Sequence, residues 1–452
     1  MSTEPFAPVL LLLGAGSSSS ASAGMDLFEI IALLISLTAV FGFLNEKLKR
    51  LPTTIGVMLF ALAFSLVLLL LGLVSPTITE SARTIIGSID FSEAVMGIML
   101  SYLLFAGSLH VNLDDLAQQR KVIGIMATAG VLLSTFLIGT VSYFLFRAIG
   151  FELRFIECLL FGSLISPTDP VAVLGILKVA GAPKSLKTKI TGESLFNDGI
   201  GVVIFITLLG IAMTDTGQVS AGHIIRVFLV EALGGLLLGI LLGFVGYRMI
   251  KEINNYQIEV LITLAMVTGG YALAQHLHTS GPLAMVAAGL LIGNQGRNFA
   301  MSAETRDHLD KFWELVDEVL NALLFVLIGL EVLIITIGPK IMLLGILSIP
   351  LVLAARYLAV TVPVFALRRT REFTPGVVPI LTWAGLRGGI SVALALSLPD
   401  SLGQTREVII TVTYIVVIFS ISVQGLTLKS VIQKFTAQTP HSPGPKAGAD
   451  AG

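Results

Sequence analysis

Apolar residues in this chain gather into long runs separated by short clusters of charge, Gly and Pro, with neither the one-sided period of a surface helix nor the alternation of a half-buried strand. A helix needs about 20 mostly apolar residues to cross the hydrocarbon core of a bilayer. Thirteen runs of about that scale occur, at approximately 27–44, 52–73, 91–109, 123–146, 155–177, 190–213, 224–247, 257–275, 280–294, 315–337, 341–367, 376–398 and 407–430. The pattern predicts an all-α membrane protein with about 13 transmembrane helices. Residues 1–25, Ser- and Ala-rich, read as a disordered N-terminal leader, and Met25 stands where a chain start would suit the first run. Residues 26–435 form the transmembrane domain, and the Pro/Gly/Ala-rich residues 436–452 read as a disordered cytoplasmic tail.

Composition agrees with a lipid setting. Of 452 residues, 55% are hydrophobic and 13% charged, against roughly 25% charged in soluble domains. A net charge of −1 leaves no basic footprint for nucleic acid. Cys158 is the single cysteine, so there is neither a disulfide framework nor a Cys-rich metal site. The basic residues supply an orientation, because loops on the cytoplasmic side carry the excess of Lys and Arg. Alternate connections collect 20 of the 28 on one side and six on the other, with Arg356 and Arg387 inside spans. That split puts the N-terminus outside and the C-terminus in the cytoplasm.

An ionisable group at the bilayer centre costs about 2.5–3.5 kcal/mol on insertion scales, so each one points to function. Asp169, Glu193, Asp198, Glu231, Arg356 and Arg387 are the candidates. Span five carries Ser166-Pro167-Thr168-Asp169-Pro170, where two prolines remove helix hydrogen bonds and free carbonyls at mid-membrane. An unwound stretch there offers backbone oxygens and the Thr168 hydroxyl, hard ligands for a small monovalent cation. Span six carries Glu193-Ser194-Leu195-Phe196-Asn197-Asp198-Gly199. Glu193/Asn197 and Ser194/Asp198 are each four apart, so both pairs crowd adjoining faces of one helix. Thr207 is the one polar side chain between Asp198 and Met213, which puts Asp198 deep in the apolar stretch.

Span twelve carries Gly385-Leu386-Arg387-Gly388-Gly389. The glycines weaken the helix around a guanidinium that cannot shed its charge, and Glu193 is its expected partner. Asp317 and Glu318 are candidate neighbours for Arg356, while Glu231 and the loop residues His276 and His278 read as satisfied locally or at the interface. If spans 1–6 and 8–13 are repeats, the broken fifth and twelfth helices are equivalent and run in opposite directions. That is an inverted-repeat design with its site at the midplane.

In that order and on those spans, Thr168-Asp169-Pro170, Glu193 to Gly199 and Gly385 to Gly389 resemble the prokaryotic sodium/proton antiporters of the NhaP type, over about residues 26–435. The resemblance implies a homodimer in the cell inner membrane, with a dimerisation bundle and a core of six helices that moves against it. It implies that Asp198 carries the transported Na+, Li+ or proton, that Thr168, Asp169 and Ser194 line the site, and that Asn197 stands where electrogenic relatives have an aspartate. It also implies that Glu193 and Arg387 form a structural ion pair, with no cofactor beyond the transported ions. The chain departs from some members at Ala106, where they carry a glutamate.

The resulting expectation is competition between proton and cation for one carboxylate, one for one, with no net charge moved. Other classes stay open on the residues alone. These are a cation channel, an organic-solute transporter (K+ in place of Na+ being a variant of the first reading), and an intramembrane aspartyl protease built on Asp169 and Asp198. The last lacks the Gly-x-Gly-Asp sequence such proteases use.

Overall fold

The computed structural model describes residues 27–48, 51–72, 75–87, 94–169, 173–174, 176–177, 180, 182–213, 221–333, 338–369, 373 and 375–436. Among these the regular structure is helical throughout. The expected leader, Pro170, and residues 437–452 of the expected tail lie outside the described residues.

Two compact units divide the chain, one of residues 1–90 with 325–335, the other of 91–324 with 336–452. In the first, α1 (Leu27–Leu48), α2 (Thr53–Gly72) and α3 (Pro76–Gly87) pack together. The α1–α2 turn is held by Asn45 Nδ2, which donates to the Leu51 carbonyl at 3.1 Å. Ser65 donates to the Gly329 carbonyl at 2.8 Å, and Arg83 Nε to the Leu333 carbonyl at 2.8 Å. Helix α3 is an addition to the sequence reading. Its polar composition falls below any membrane-span threshold, and it forms as a short amphipathic helix instead.

The second unit holds α4 (Leu100–Leu109), α5 (Leu113–Ile149), α6 (Phe155–Ile165), α7 (Lys184–Ala212), α8 (Ala221–Lys251), α9 (Tyr256–His276), α10 (Gly281–Leu291), the N-terminal part of α11 (Ala303–Glu331), α12 (Pro339–Leu367), α13 (Val377–Trp383), α14 (Gly389–Leu396), α15 (Gln404–Phe419) and α16 (Leu426–Thr436). Local chemistry sets several starts. Asn112, Asn255 and Ser280 accept from backbone N–H groups two or three residues on, capping α5, α9 and α10. Glu157 returns a carboxylate oxygen to the Arg154 N–H at 2.8 Å to open α6. Gly150, at φ 99°, closes α5 in the left-handed conformation that a glycine adopts without penalty.

Eight described helices are long and apolar enough to cross a membrane, with shorter apolar helices at Val95–Leu109 and Phe155–Ile165. Their outward faces are apolar, as at Leu237, Leu241 and Phe365, which is what lipid rather than water selects. The helices match the apolar runs in place and order, with two larger differences. Helix α11 begins at Ala303, not near 315, because its first turns are amphipathic and charged. Helix α7 begins at Lys184, ahead of the apolar stretch.

Candidate functional site

Both expected interruptions are present. Helix α6 stops at Ile165 and residues 166–169 are non-helical; α13 stops at Trp383 and α14 starts at Gly389. Buried backbone groups freed by such breaks must find partners, and here the two breaks serve one another. The Asp169 N–H donates to the Leu386 carbonyl at 2.8 Å. Arg387 Nη1 donates to the carbonyls of Ser166 and Pro167, the second at 2.8 Å. The Arg387 N–H donates to Ser420 Oγ at 3.0 Å, and Gln424 Nε2 to the Trp383 carbonyl at 3.2 Å. Ser420 and Gln424 lie on a π turn, Ser420–Gly425, between α15 and α16. Such turns expose backbone and recur at functional positions.

The Arg387 guanidinium is therefore a cap for the first break. The ion pair expected between Arg387 and Glu193 is replaced: Glu193 Oε1 accepts from Arg356 Nη1 instead. Both members are buried, Glu193 at 1% exposure and Arg356 at 6%. The same contact corrects the expectation that Asp317 or Glu318 neutralises Arg356. The physical reason is reach: α12 presents Arg356 to Glu193, while the guanidinium of Arg387 is engaged by the Ser166 and Pro167 carbonyls.

Helix α7 brings its polar face to the first break. Thr168 Oγ1 and Ser194 Oγ are 3.0 Å apart. Asn197 Nδ2 donates to Thr168 Oγ1 at 2.9 Å, and its Oδ1 accepts the Thr168 N–H at 3.3 Å. Asn197 thus clamps Thr168 from both ends of its amide. Gly201 lets the helix approach closely, since a Cβ there would stand 2.2 Å from Pro167 Cγ. One turn from Ser194, Asp198 is 4% exposed and makes no hydrogen bond to another described residue. Its charged neighbour is Asp169, which is half-buried and also acts on Asp317 of α11. A methyl group on Gly388 would stand 2.1 Å from Asp169 Oδ2, so the second break runs directly against that carboxylate.

The structure accordingly brings Thr168, Asp169, Ser194, Asn197 and Asp198 together around the first break, and places Arg387 on its far carbonyls. Ala106 is fully buried on α4. Sequence reasoning did not single out Ser420 or Gln424, nor give Arg356 and Asp317 these neighbours; in-span charge was the signal available for Arg356.

The profile of the family described as "Sodium/hydrogen exchanger, transmembrane" matches residues 16–434. The chain is 50% identical over 420 residues to the Na(+)/H(+) antiporter NhaP of Pseudomonas aeruginosa, covering 92% of this chain and 98% of that protein. It is 35% identical over 412 residues to the Na(+)/H(+) antiporter NhaH of Halobacillus aidingensis, covering 90% and 98%. In fold it is similar to the sodium proton antiporter MjNhaP1 of Methanocaldococcus jannaschii, with a TM-score of 0.71 and 19% identity over 92% of this chain and all of that one. Regular structure that is helical among the described residues, two helix breaks bonded to one another and a profile match over most of its length agree: this chain is a multi-pass membrane protein of the sodium/hydrogen exchanger family.

Proposed function

We propose that this protein exchanges a monovalent cation, Na+ or Li+ with K+ as a variant, for a proton across the membrane by alternating access around Asp198. The carrying observation is the state of that carboxylate. It is buried, lacks a protein hydrogen bond among the described residues, and adjoins the unwound segment that bears Thr168. A carboxylate so placed has one oxygen pair to offer, and a proton and a cation exclude each other on it. Thr168, Ser194 and Asp169 supply further oxygens, while Asn197 braces the Thr168 segment and cannot ionise. The relatives named as Na(+)/H(+) antiporters support the same cargo.

The stoichiometry that follows is one cation per proton. Thirteen crossings in two inverted repeats, with an outside N-terminus and a cytoplasmic C-terminus in the cell inner membrane, complete the reading and are supported by the span pattern and the Lys/Arg asymmetry; a homodimer is added from the family resemblance alone. Purified protein in vesicles containing a pH-sensitive dye tests it. Adding Na+ or Li+ is expected to move protons in the wild type and not in Asp198→Asn, and a potassium diffusion potential is expected to leave the rate unchanged. Full activity in Asp198→Asn would overturn the site, and a voltage-accelerated rate would overturn the stoichiometry.

A further inference from the structure

A small cavity lies among α12, the break at residues 384–388, α15 and the π turn after it. Arg356, Arg387, Thr382, Gln424, Val352 and Val416 are among its lining residues, and neither Asp nor Glu is. The cavity has room for about one particle the size of a water molecule.

The hydrogen-bonding inventory of the lining is lopsided. Arg356 Nε is buried and has no partner. Arg356 Nη1 is taken by Glu193, and Nη2 reaches the Leu381 carbonyl at 3.4 Å. Arg387 spends its Nη1 on the Ser166 and Pro167 carbonyls, and its Nε and Nη2 make no hydrogen bond to a described residue. Thr382 donates its hydroxyl to the Val378 carbonyl and Gln424 donates Nε2 to the Trp383 carbonyl. Arg356 Nε is thus left over as a buried donor, with Arg387 Nε and Nη2 beside it unengaged by any described residue, on two cations that share one hydrogen-bonded carboxylate. Buried donors without acceptors each cost about 1–3 kcal/mol, and an uncompensated buried charge costs more. An occupant that only accepts and carries negative charge answers both, whereas a neutral water molecule answers the first alone.

We propose that this cavity between Arg356 and Arg387 is a binding site for one small monovalent anion of the halide class, resident in the protein and separate from the transported cation. Its place behind the second break makes it a counter-ion for the guanidinium that caps the first. Gly385 keeps the site open, since a Cβ there would stand 2.8 Å from Arg356 Nε.

Equilibrium dialysis of the detergent-purified full chain against radioactive chloride tests this, with Na+ and ionic strength held constant by gluconate. The expected result is saturable uptake of about one ion per chain, displaced by bromide but not by gluconate, and retained in Asp198→Asn. In Val352→Phe, which fills the cavity and keeps both arginines, affinity is expected to fall by at least roughly tenfold. If that variant does not fold, Val416→Leu makes the same test with a smaller side chain. Absence of saturable chloride uptake would mean water occupies the cavity and overturns the proposal, as would unchanged affinity in the filled variants.

Discussion

The two helix breaks do the same topological thing by opposite chemistry. The break after α6 is made by proline: Pro167 has no N–H and denies the preceding turn a bond. The break after α13 is made by Gly385 and Gly388, and its local hydrogen bonds are short turns such as Leu386 N–H to the Ala384 carbonyl at 2.8 Å. The first break offers carbonyls that take their donor from the second, and it carries Thr168 and Asp169. The second keeps short turns of its own, bonds outward through Leu386 and Arg387, and carries a cation. One break therefore presents oxygens and the other supplies a charged donor to the Ser166 and Pro167 carbonyls. A Pro-built break exposes carbonyls by removing donors; a Gly-built break allows the close approach needed to supply donors from outside.

The comparison breaks most severely at Arg387. Arg387→Leu is expected to strip the Ser166 and Pro167 carbonyls of their donor and lower stability by ~2–6 kcal/mol, two buried groups at the usual cost each, seen as a large loss of thermal stability in detergent. Gly388→Ala comes next. Its methyl group meets Asp169 Oδ2, so the seam must open, and cation affinity in the vesicle assay is expected to fall more than thermal stability does. Thr168→Val is expected to cost about 1–3 kcal/mol of local order and to raise the cation concentration needed for half-maximal exchange, with the fold intact. Gly107→Ala, where a Cβ meets nothing within 4 Å, sharpens the contrast as the smallest change, with exchange and stability at wild-type values.

Both breaks were legible in the sequence, because Pro and Gly at mid-span are local signals with a backbone mechanism. The spans were legible for the same reason: bilayer thickness fixes the length of an apolar run. Helix α3 and the first turns of α11 escaped, since amphipathic or charged helix has no such length signature. The Glu193–Arg356 pair escaped for a different reason. Its members are 163 residues apart, and charge in a span announces that a partner exists without saying which of two arginines the packing delivers. Thr168 and Asn197 were both named from sequence; that the amide grips Thr168 at both ends is a matter of helix rotation, which no motif encodes.

One contact has a wider consequence. The bond from the Asp169 N–H to the Leu386 carbonyl joins main chain to main chain, so any residue but proline at position 169 can make it. Side chains around the two breaks can therefore be exchanged while this bond between them is kept. In such an architecture the chemistry of the lining and the joining of the two breaks are separable traits, and drift in one need not disable the other.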